Sequence, residues 1–233
     1  MSFVGSPADH STRKTCVVKM HLLELFAGTG SIGRAFTDIG WQVTSVDLDP
    51  KAKATYTADV TTWEPPEGVV FDCVWSSPPC TEFSRALTSR PRDLDAGLRI
   101  ARRTLQLIHQ VQPKVWFIEN PATGLLPQQR GFNQLPCKIL SYCKYGFPYR
   151  KLTWIATNCE AWDPLPPCRK TIRCPQMVGN RHPESAQRGP TRLKDGSLHG
   201  GRCSQAQLYS IPPDLCSEIA RAATAHIQNH AVD

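Results

Sequence analysis

The sequence predicts an α/β fold with a doubly wound, mostly parallel sheet and a small loop-rich appendage. Short apolar runs alternate with longer amphipathic stretches up to about residue 158, the pattern of strands joined by crossover helices. A glycine-rich turn separates the first apolar run from the first amphipathic stretch, as in many nucleotide-binding sheets. Hydrophobic residues make up 40% of the 233 residues, which is enough to form a core.

The elements follow each other in a regular order. Residues 21–26 form the first predicted strand and residues 31–39 the first helix, with apolar side chains at helical spacing. The next predicted elements are strands at 42–46, near Asp59 and at 69–75, a helix over 94–112, a strand at 115–118, a helix over 132–143 and a strand at 152–156.

Four regions are expected along the chain. Residues 1–18 form a flexible leader, and residues 19–158 form the main domain. Residues 159–206 are rich in Pro, Gly, Arg, Cys and His and have little apolar periodicity, which predicts a short, basic, loop-rich appendage. Residues 207–233 return to a helical pattern over 213–228, and this helix is expected to pack back on the main domain.

Bulk composition narrows the class of protein. No apolar run approaches the roughly 20 residues of a membrane span, and residues 1–19 do not form a secretory signal. We therefore expect an intracellular protein without membrane contact. A monomer is also expected. Ten cysteines in a reducing setting favour metal binding or catalysis over disulfides. The net charge of +7 suits nucleic acid as a partner, although solubility alone also explains it.

A glycine turn and two acids predict a nucleotide-like ligand. Residues 25–33 contain Gly28, Gly30 and Gly33, which let the backbone turn sharply and approach a ligand closely. Asp47 ends the second strand, where an acid can hold a ribose diol, and Asp59 ends the third. A NAD site, or glycines that serve packing alone, remain alternatives at this point.

A thiol at the carboxyl edge of the sheet is the candidate nucleophile. Cys80 follows Pro78 and Pro79 directly after the fourth strand, and open α/β sheets do chemistry at this edge. Most free cysteines are core hydrophobes, but a thiol on a proline-stiffened turn is better placed to react. Glu119 ends the neighbouring predicted strand, so a carboxyl group is expected close to the thiol.

Three segments resemble motifs of the cytosine-C5 branch of S-adenosylmethionine-dependent methyltransferases. They are Leu23-Glu24-Leu25-Phe26-Ala27-Gly28-Thr29-Gly30, Pro79-Cys80-Thr81-Glu82-Phe83-Ser84 and Glu119-Asn120-Pro121. The resemblance implies a class I, Rossmann-like methyltransferase that releases S-adenosylhomocysteine. It also implies that Cys80 adds to C6 of a cytosine flipped out of DNA, with Glu119 on the N3 edge and Asn120 fixing the acid's loop.

The resemblance also assigns further residues. Lys151 falls where the family usually has an arginine that holds the base, and the Gly-Asn pair usual before Ser210 is absent. The cofactor set is Phe26, Ala27, Gly28, Thr29, Gly30, Ser31, Asp47, Leu48, Asp59, Val60, Pro79 and Ser210. The expected nucleic-acid contacts are Arg85, Arg90, Arg92, Arg169, Arg173 and Arg188.

Alternatives to a DNA methyltransferase remain open from the sequence. RNA is an alternative substrate, because the family has an RNA-methylating branch. A weakly active nucleic-acid-binding subunit is another, because two late motifs are altered and residues 159–206, where the resemblance puts the family's target-recognition region, are fewer than usual. So small a region suggests a short recognition sequence or help from a specificity partner. The expected location is the cytoplasm of a prokaryote or phage-infected cell, or the nucleus of a eukaryote.

The appendage carries a candidate structural zinc site. Structural zinc is usually held by four Cys or His ligands, and such a site stabilises segments that lack a hydrophobic core. The expected ligands are Cys159, Cys168, Cys174 and His182. A loop with unrelated cysteines is the alternative, because the spacings lack tight Cys-x-x-Cys pairs.

Overall fold

A seven-stranded sheet forms the centre of the computed structural model, which describes residues 19–186, 191–192, 198–199 and 201–230. Its strands are β1 His21–Leu25, β2 Gln42–Asp47, β3 Tyr56–Thr57, β4 Cys73–Ser76, β5 Val115–Pro121, β6 Cys137–Ser141 and β7 Leu152–Thr157. The spatial order is β3-β2-β1-β4-β5-β7-β6. Strands β1 to β5 pair in parallel, and only β7 runs antiparallel to its neighbours β5 and β6. The predicted fold class is confirmed.

Helices cover both faces of the sheet. They are α1 Ser31–Asp38, α2 Leu94–Val111, α3 Gln205–Tyr209 and α4 Pro213–Asn229. Because side chains alternate along a strand, Leu22 packs in one core cluster with α1 and α4, while Leu23 packs in another with Leu107 of α2. Within the described ranges, no helix has both the length and the apolar character that crossing a membrane requires.

The appendage adds only short strand pairs. Strand β8, Glu184–Ser185, pairs in parallel with β11, Gly201–Arg202. Strand β9, Thr191–Arg192, pairs antiparallel with β10, Leu198–His199. The expected leader, residues 1–18, lies outside the described residues.

The helix predicted over 132–143 is wrong. This stretch contains β6, followed by a 3-10 turn at Tyr142–Tyr145. Pro136 explains the error, because a proline inside a helix removes a hydrogen bond and clashes with the preceding turn. Instead, the Pro136 carbonyl accepts a hydrogen bond from Thr157 N (3.0 Å), and Ile139 pairs with Trp154 in the β6–β7 ladder.

The strand order brings three chemically important loops together. The connections from β1 run outward to β2 and β3, whereas β4 and β5 lie on the other side of β1. Ligands bind at such a switch point, outside the carboxyl ends of the strands. The glycine turn after β1 and the Pro78-Pro79-Cys80 segment after β4 therefore meet there, next to Glu119 near the end of β5.

Candidate active site

A cavity of about 800 Å³ opens at the switch point. The glycine turn and the end of β2 line one part of it through Phe26, Gly28 and Asp47. Cys80 and Glu119 line another part, together with Arg85, Lys151, Tyr209 and the segment around Pro79. One cavity thus joins the residues expected to hold a cofactor to those expected to do the chemistry.

The glycine turn is held in an unusual backbone conformation. Phe26, Gly28 and Gly30 all have positive φ, at 57°, 52° and 64°. Gly28 N donates to Asp47 Oδ2 (2.8 Å), which ties the turn to the end of β2. The other carboxylate oxygen, Asp47 Oδ1, accepts from Asp49 N (2.8 Å). The Asp47 carboxylate is therefore fixed at the cavity wall, with lone pairs left to accept from a ligand hydroxyl.

Glu24 is a buried acid under the glycine turn that sequence reasoning did not single out. Its Oε1 accepts from Gly33 N (3.1 Å), and a Cβ on Gly33 would lie only 2.5 Å from Glu24 Oε2. A side chain at position 33 would therefore force Glu24 to move. Burial raises the pKa of Glu24 to about 7, while the hydrogen bond from Gly33 opposes the rise. The signal in the sequence was a carboxyl group inside an otherwise apolar strand.

The other cofactor candidates support the turn or lie away from the cavity. Thr29 Oγ1 and Ser31 Oγ are hydrogen-bonded (2.7 Å), and Ser31 Oγ accepts from Ile211 N (3.4 Å). Ser210 Oγ donates to the Gln207 carbonyl (2.9 Å). The residues outside the cavity lining are Ala27, Thr29, Gly30, Ser31, Leu48, Asp59, Val60 and Ser210.

Two of these residues outside the cavity lining, Asp59 and Leu48, differ in how available they are to a bound cofactor. The Asp59 carboxylate accepts from the backbone and hydroxyl of Thr61 (2.8 Å each), and these bonds lower the pKa of Asp59. Leu48 is 68% exposed. Both lie in loops at the β2–β3 end of the sheet, so an adenine contact by either depends on how far a ligand extends from Asp47.

Cys80 sits on a tight turn, half-buried, at the cavity wall. Its carbonyl accepts from Phe83 N (3.1 Å), which curls the chain directly behind the thiol. Burial raises the pKa of the Cys80 thiol, the negative charge of Glu119 adds to the rise, and the Lys151 ammonium opposes it. The Lys151 ammonium therefore favours the thiolate form that a nucleophile needs.

Glu119 is held from two sides. Its side chain is buried, and its Oε1 accepts from Tyr142 Oη (3.0 Å) and pairs with Lys151 Nζ (3.3 Å). Lys151 Nζ also lies 4.7 Å from the centroid of the Tyr142 ring and donates to the Leu208 carbonyl (3.4 Å). Sequence reasoning missed Tyr142, because it falls within the stretch read as a helix and carries no motif.

Asn120 joins the acid's strand to the thiol's loop. Its Nδ2 donates to the Pro78 carbonyl (3.0 Å), and its side chain is buried. Its Oδ1 is also buried and has no hydrogen-bond partner among the described residues. A second link between the loops runs from Leu125 N to the Phe83 carbonyl (2.9 Å). These links fix Cys80 and Glu119 relative to each other.

Two of the arginines expected to contact nucleic acid have partners inside the loop after Cys80. Arg90 forms an ion pair with Glu82, and Arg92 Nη2 donates to the Ser84 carbonyl (2.7 Å). Arg85, in contrast, is exposed and lines the cavity. The other candidates lie on the appendage, where Arg169 and Arg173 are exposed and Arg188 falls outside the described residues.

The structure changes one member of the expected metal site. The ligand atoms of Cys143, Cys168, Cys174 and His182 all lie within 4.8 Å of one another. Cys159 does not belong to this group: its thiol contacts the Ala222 carbonyl (3.8 Å) in the core beside α4. The reason is that the appendage folds back onto the 3-10 turn after β6, which supplies Cys143 from the main domain.

Two solved structures show a distant likeness to this chain. The S. pombe Dnmt2 methyltransferase has a TM-score of 0.42 and 16% identity, over 60% of this chain and 49% of that one. The Entamoeba histolytica methyltransferase EhMeth has the same TM-score and 18% identity, over 60% and 52%. Scores at this level carry no argument about function.

Sequence comparisons identify the family. A family model described as C-5 cytosine-specific DNA methylase matches residues 20–150. A probable DNA (cytosine-5)-methyltransferase of Frog virus 3 (isolate Goorha) is 32% identical over 218 residues, which cover 86% of this chain and 98% of the viral protein. The type II methyltransferase M.AplI of Arthrospira platensis is 26% identical over 74% of this chain and 55% of its own length. With the predicted motifs in place at the switch point, these matches show that the chain belongs to the C-5 cytosine-specific DNA methylase family.

Proposed function

We propose that this protein transfers a methyl group from S-adenosylmethionine to C5 of a cytosine in DNA through a covalent bond from Cys80. One observation carries the proposal: Cys80, Glu119 and Lys151 line the same cavity as the glycine turn and Asp47. Membership of the family supports cytosine C5 as the target atom. The viral relative, named a probable DNA methyltransferase, supports DNA as the substrate.

The residues at the glycine turn fit S-adenosylmethionine. At Gly28 the backbone is open toward the cavity: a Cβ there would have only the Phe26 carbonyl within 4 Å, at 3.9 Å. Backbone can therefore approach a ligand closely at this point. Asp47 offers a fixed carboxylate for the ribose hydroxyls, and Phe26 offers an aromatic ring. When bound, the cofactor supplies a methyl group on a positively charged sulfur.

The side chains then divide the work of addition and elimination. The Cys80 thiolate forms a bond to C6, and the electron pair of the C5–C6 double bond becomes available at C5. Glu119 binds the N3 edge and shares a proton with it, which favours the uptake of charge by the ring. C5 then bonds to the methyl carbon while the carbon–sulfur bond breaks, and that electron pair stays on the departing sulfur.

The product forms when the ring loses its C5 proton. A base removes that proton, the C5–C6 double bond forms again, and the bond from C6 to Cys80 breaks with its electron pair returning to sulfur. Lys151 assists the thiolate at both ends of this cycle, because its ammonium lowers the thiol pKa. The same ammonium is paired with Glu119, so one cation balances both reacting groups.

A base inside a duplex cannot reach this cavity, so the target must be flipped out. Flipping costs on the order of a few kcal/mol, which protein contacts to the DNA backbone must offset.

Arg85 is exposed at the cavity and is the best-placed candidate for such a phosphate contact. Replacing Arg85 by Ala should lower the slope of log affinity against log salt by about 1, whereas Arg221→Ala on the exposed side of α4 should leave it unchanged. If the two variants give the same slope of log affinity against log salt, Arg85 does not contact the DNA backbone.

Transfer of tritiated methyl groups from S-adenosylmethionine tests the activity with DNA, RNA and no nucleic acid. Wild type and Cys137→Ser, which changes an exposed thiol outside the cavity lining, should label DNA equally. Cys80→Ser should lose at least about 1,000-fold in rate, since covalent catalysis is removed. If Cys80→Ser still labels DNA at the wild-type rate, the proposed mechanism is wrong. Labelling of RNA alone would make RNA the substrate, and DNA binding without transfer would favour a binding subunit.

A mechanism-based trap tests the covalent bond itself. In DNA with 5-fluorocytosine at the target, fluorine replaces the C5 proton that must leave, so the elimination step cannot proceed after methyl transfer. The protein should then remain attached to DNA through denaturing electrophoresis, and peptide mapping should place the bond at Cys80. An adduct that forms equally in Cys80→Ser, or an active enzyme that gives none, would contradict the proposal.

A further inference from the structure

Three thiols and one imidazole converge away from the active cavity. Cys143, Cys168 and Cys174 are buried, and His182 is half-buried beside them. His182 Nε2 lies 3.2 Å from Cys174 Sγ and 3.8 Å from Cys168 Sγ. With zinc–sulfur bonds of about 2.3 Å, a tetrahedral site places its sulfur ligands about 3.8 Å apart. The observed cluster, within 4.8 Å throughout, therefore needs only small shifts of its ligand atoms to surround a metal ion.

The backbone around the cluster is folded to present these ligands. One tight turn lies between Cys168 and Cys174, where Arg169 and Ile172 exchange backbone hydrogen bonds (3.0 and 3.1 Å). A second lies between Cys174 and His182, where Val178 and Arg181 do the same (2.9 and 3.2 Å). Each turn folds the chain back on itself, so ligands eight or fewer residues apart meet at one point.

The fourth ligand comes from the main domain. Cys143 lies in the 3-10 turn Tyr142–Tyr145, and the appendage is fastened to this region by two further contacts. Cys168 N donates to Ser141 Oγ (3.1 Å), and Lys144 Nζ donates to the Arg173 carbonyl (2.8 Å). The ligand set therefore spans the junction between the catalytic domain and the appendage.

We propose that Cys143, Cys168, Cys174 and His182 bind a structural zinc ion that fastens the appendage to the catalytic domain. Three thiolates and one imidazole form a closed four-ligand set of the kind that structural zinc uses. Soft sulfur ligands exclude calcium and magnesium, which need oxygen. Around the cluster, the buried apolar packing consists of the three cysteines with Met177 half-buried against them. A metal crosslink would supply the stability that so small an apolar cluster lacks.

The site would also act on the catalytic acid at a distance. Cys143 follows Tyr142 directly, and the Tyr142 hydroxyl holds Glu119. A metal bound to Cys143 restrains the turn that aims this hydroxyl. Loss of the metal should therefore weaken methyl transfer as well as loosen the appendage. The metal content itself does not depend on the proposed activity, so the two proposals fail separately.

Metal analysis of the full-length protein, purified under reducing conditions without chelators, is the first test. Wild type should carry one zinc per chain, and Cys174→Ser should carry less than about a fifth of that. Two matched controls should keep their zinc: Cys137→Ser, an exposed thiol, and Cys159→Ser, a buried thiol outside the cluster. Zinc at full stoichiometry in Cys174→Ser, or loss of zinc from Cys159→Ser with retention in Cys174→Ser, would overturn the proposed ligand set.

A second test does not depend on whether a variant folds. Zinc is removed from the wild-type protein with a chelator, and cobalt(II) is titrated into the reduced protein. Three thiolate ligands in a tetrahedral site should give strong visible ligand-field bands and a thiolate-to-cobalt charge-transfer band. Both should saturate at one equivalent of cobalt per chain, and added zinc should abolish them. A featureless spectrum from the reduced protein, or a disulfide mapped between two of the three cysteines in the protein as purified, would overturn the proposal.

Discussion

Removal of one hydroxyl group should slow methyl transfer without opening a hole in the core. Tyr142 is fully buried, and its hydroxyl donates to Glu119 Oε1 at 3.0 Å. Burial and the neighbouring negative charge of Glu119 raise the pKa of Tyr142 well above its ordinary value, so the hydroxyl stays protonated and donates throughout the working range. Tyr142→Phe keeps the ring and removes only this donor.

The size of the expected fall in kcat depends on the contacts that Glu119 keeps in Tyr142→Phe. A hydrogen bond to a charged group contributes about 1.5–3 kcal/mol, which corresponds to about 10- to 150-fold in rate if all of it is used in the transition state. Lys151 still holds the same oxygen at 3.3 Å, so the carboxylate keeps one of its two partners. We therefore expect kcat to fall about 10- to 30-fold, with KM for DNA changed less than about threefold.

The assay is steady-state transfer of tritiated methyl groups to DNA, with Tyr145→Phe as the matched control. Tyr145 lies in the same 3-10 turn and is also buried, but its hydroxyl donates to Glu218 Oε1 (3.1 Å) and accepts from Leu165 N (2.8 Å). Tyr145→Phe thus removes more hydrogen bonds than Tyr142→Phe, none of them to Glu119. Its kcat should stay within about twofold of wild type.

Two results would refute the reasoning. If Tyr142→Phe retains full kcat, the hydroxyl does not hold Glu119 in the reacting geometry. If both variants lose kcat equally, the effect comes from a loosened turn and not from the contact with Glu119. Urea unfolding of both variants separates these cases, because a change in kcat at unchanged stability points to the site.

Three further predictions concern charge. Burial raises the pKa of Glu24 from about 4.5 to about 7, so between these pH values the folded state binds a proton that the unfolded chain releases. The free energy of unfolding should therefore fall by up to about 3 kcal/mol as pH rises from 4.5 to 7. Urea midpoints should show this fall in wild type and not in Glu24→Gln. Lys151→Met removes the cation that lowers the Cys80 pKa, so the pH midpoint for alkylation of Cys80 by iodoacetamide should move upward, and an unchanged midpoint would contradict the role of Lys151. Asp47→Asn should weaken binding of S-adenosylhomocysteine about 10-fold by calorimetry, whereas Asp49→Asn, which keeps the side-chain oxygen that accepts from Lys51 N, should bind within about twofold of wild type.

The sequence was most informative where the chemistry depends on local motifs. Cys80 and Glu119 were placed at the ends of adjacent strands because strand edges follow from apolar runs, and the structure has β4 and β5 as parallel neighbours. Tyr142 and Cys143 could not be found in this way. The roles proposed for them depend on the pairing of β6 with β7 and on the fold of the appendage onto the turn between these strands, which are long-range contacts that leave no periodic signal.

Because β7 is antiparallel to β5, we expect the candidate active site to be completed late in folding. Parallel strands place their last residues at the reacting edge, but β7 runs the other way, so Lys151, directly before its first residue, lies there instead. The cation can reach Glu119 only after the β6–β7 hairpin has docked on β5 in the register that pairs Glu119 with Ile155. Since a slip of one residue would turn each side chain of β7 to the opposite face, misdocked chains hold thiol and acid without their counter-ion. Recovery of methyl transfer during refolding should therefore trail the burial of Trp154, which β7 carries into the core.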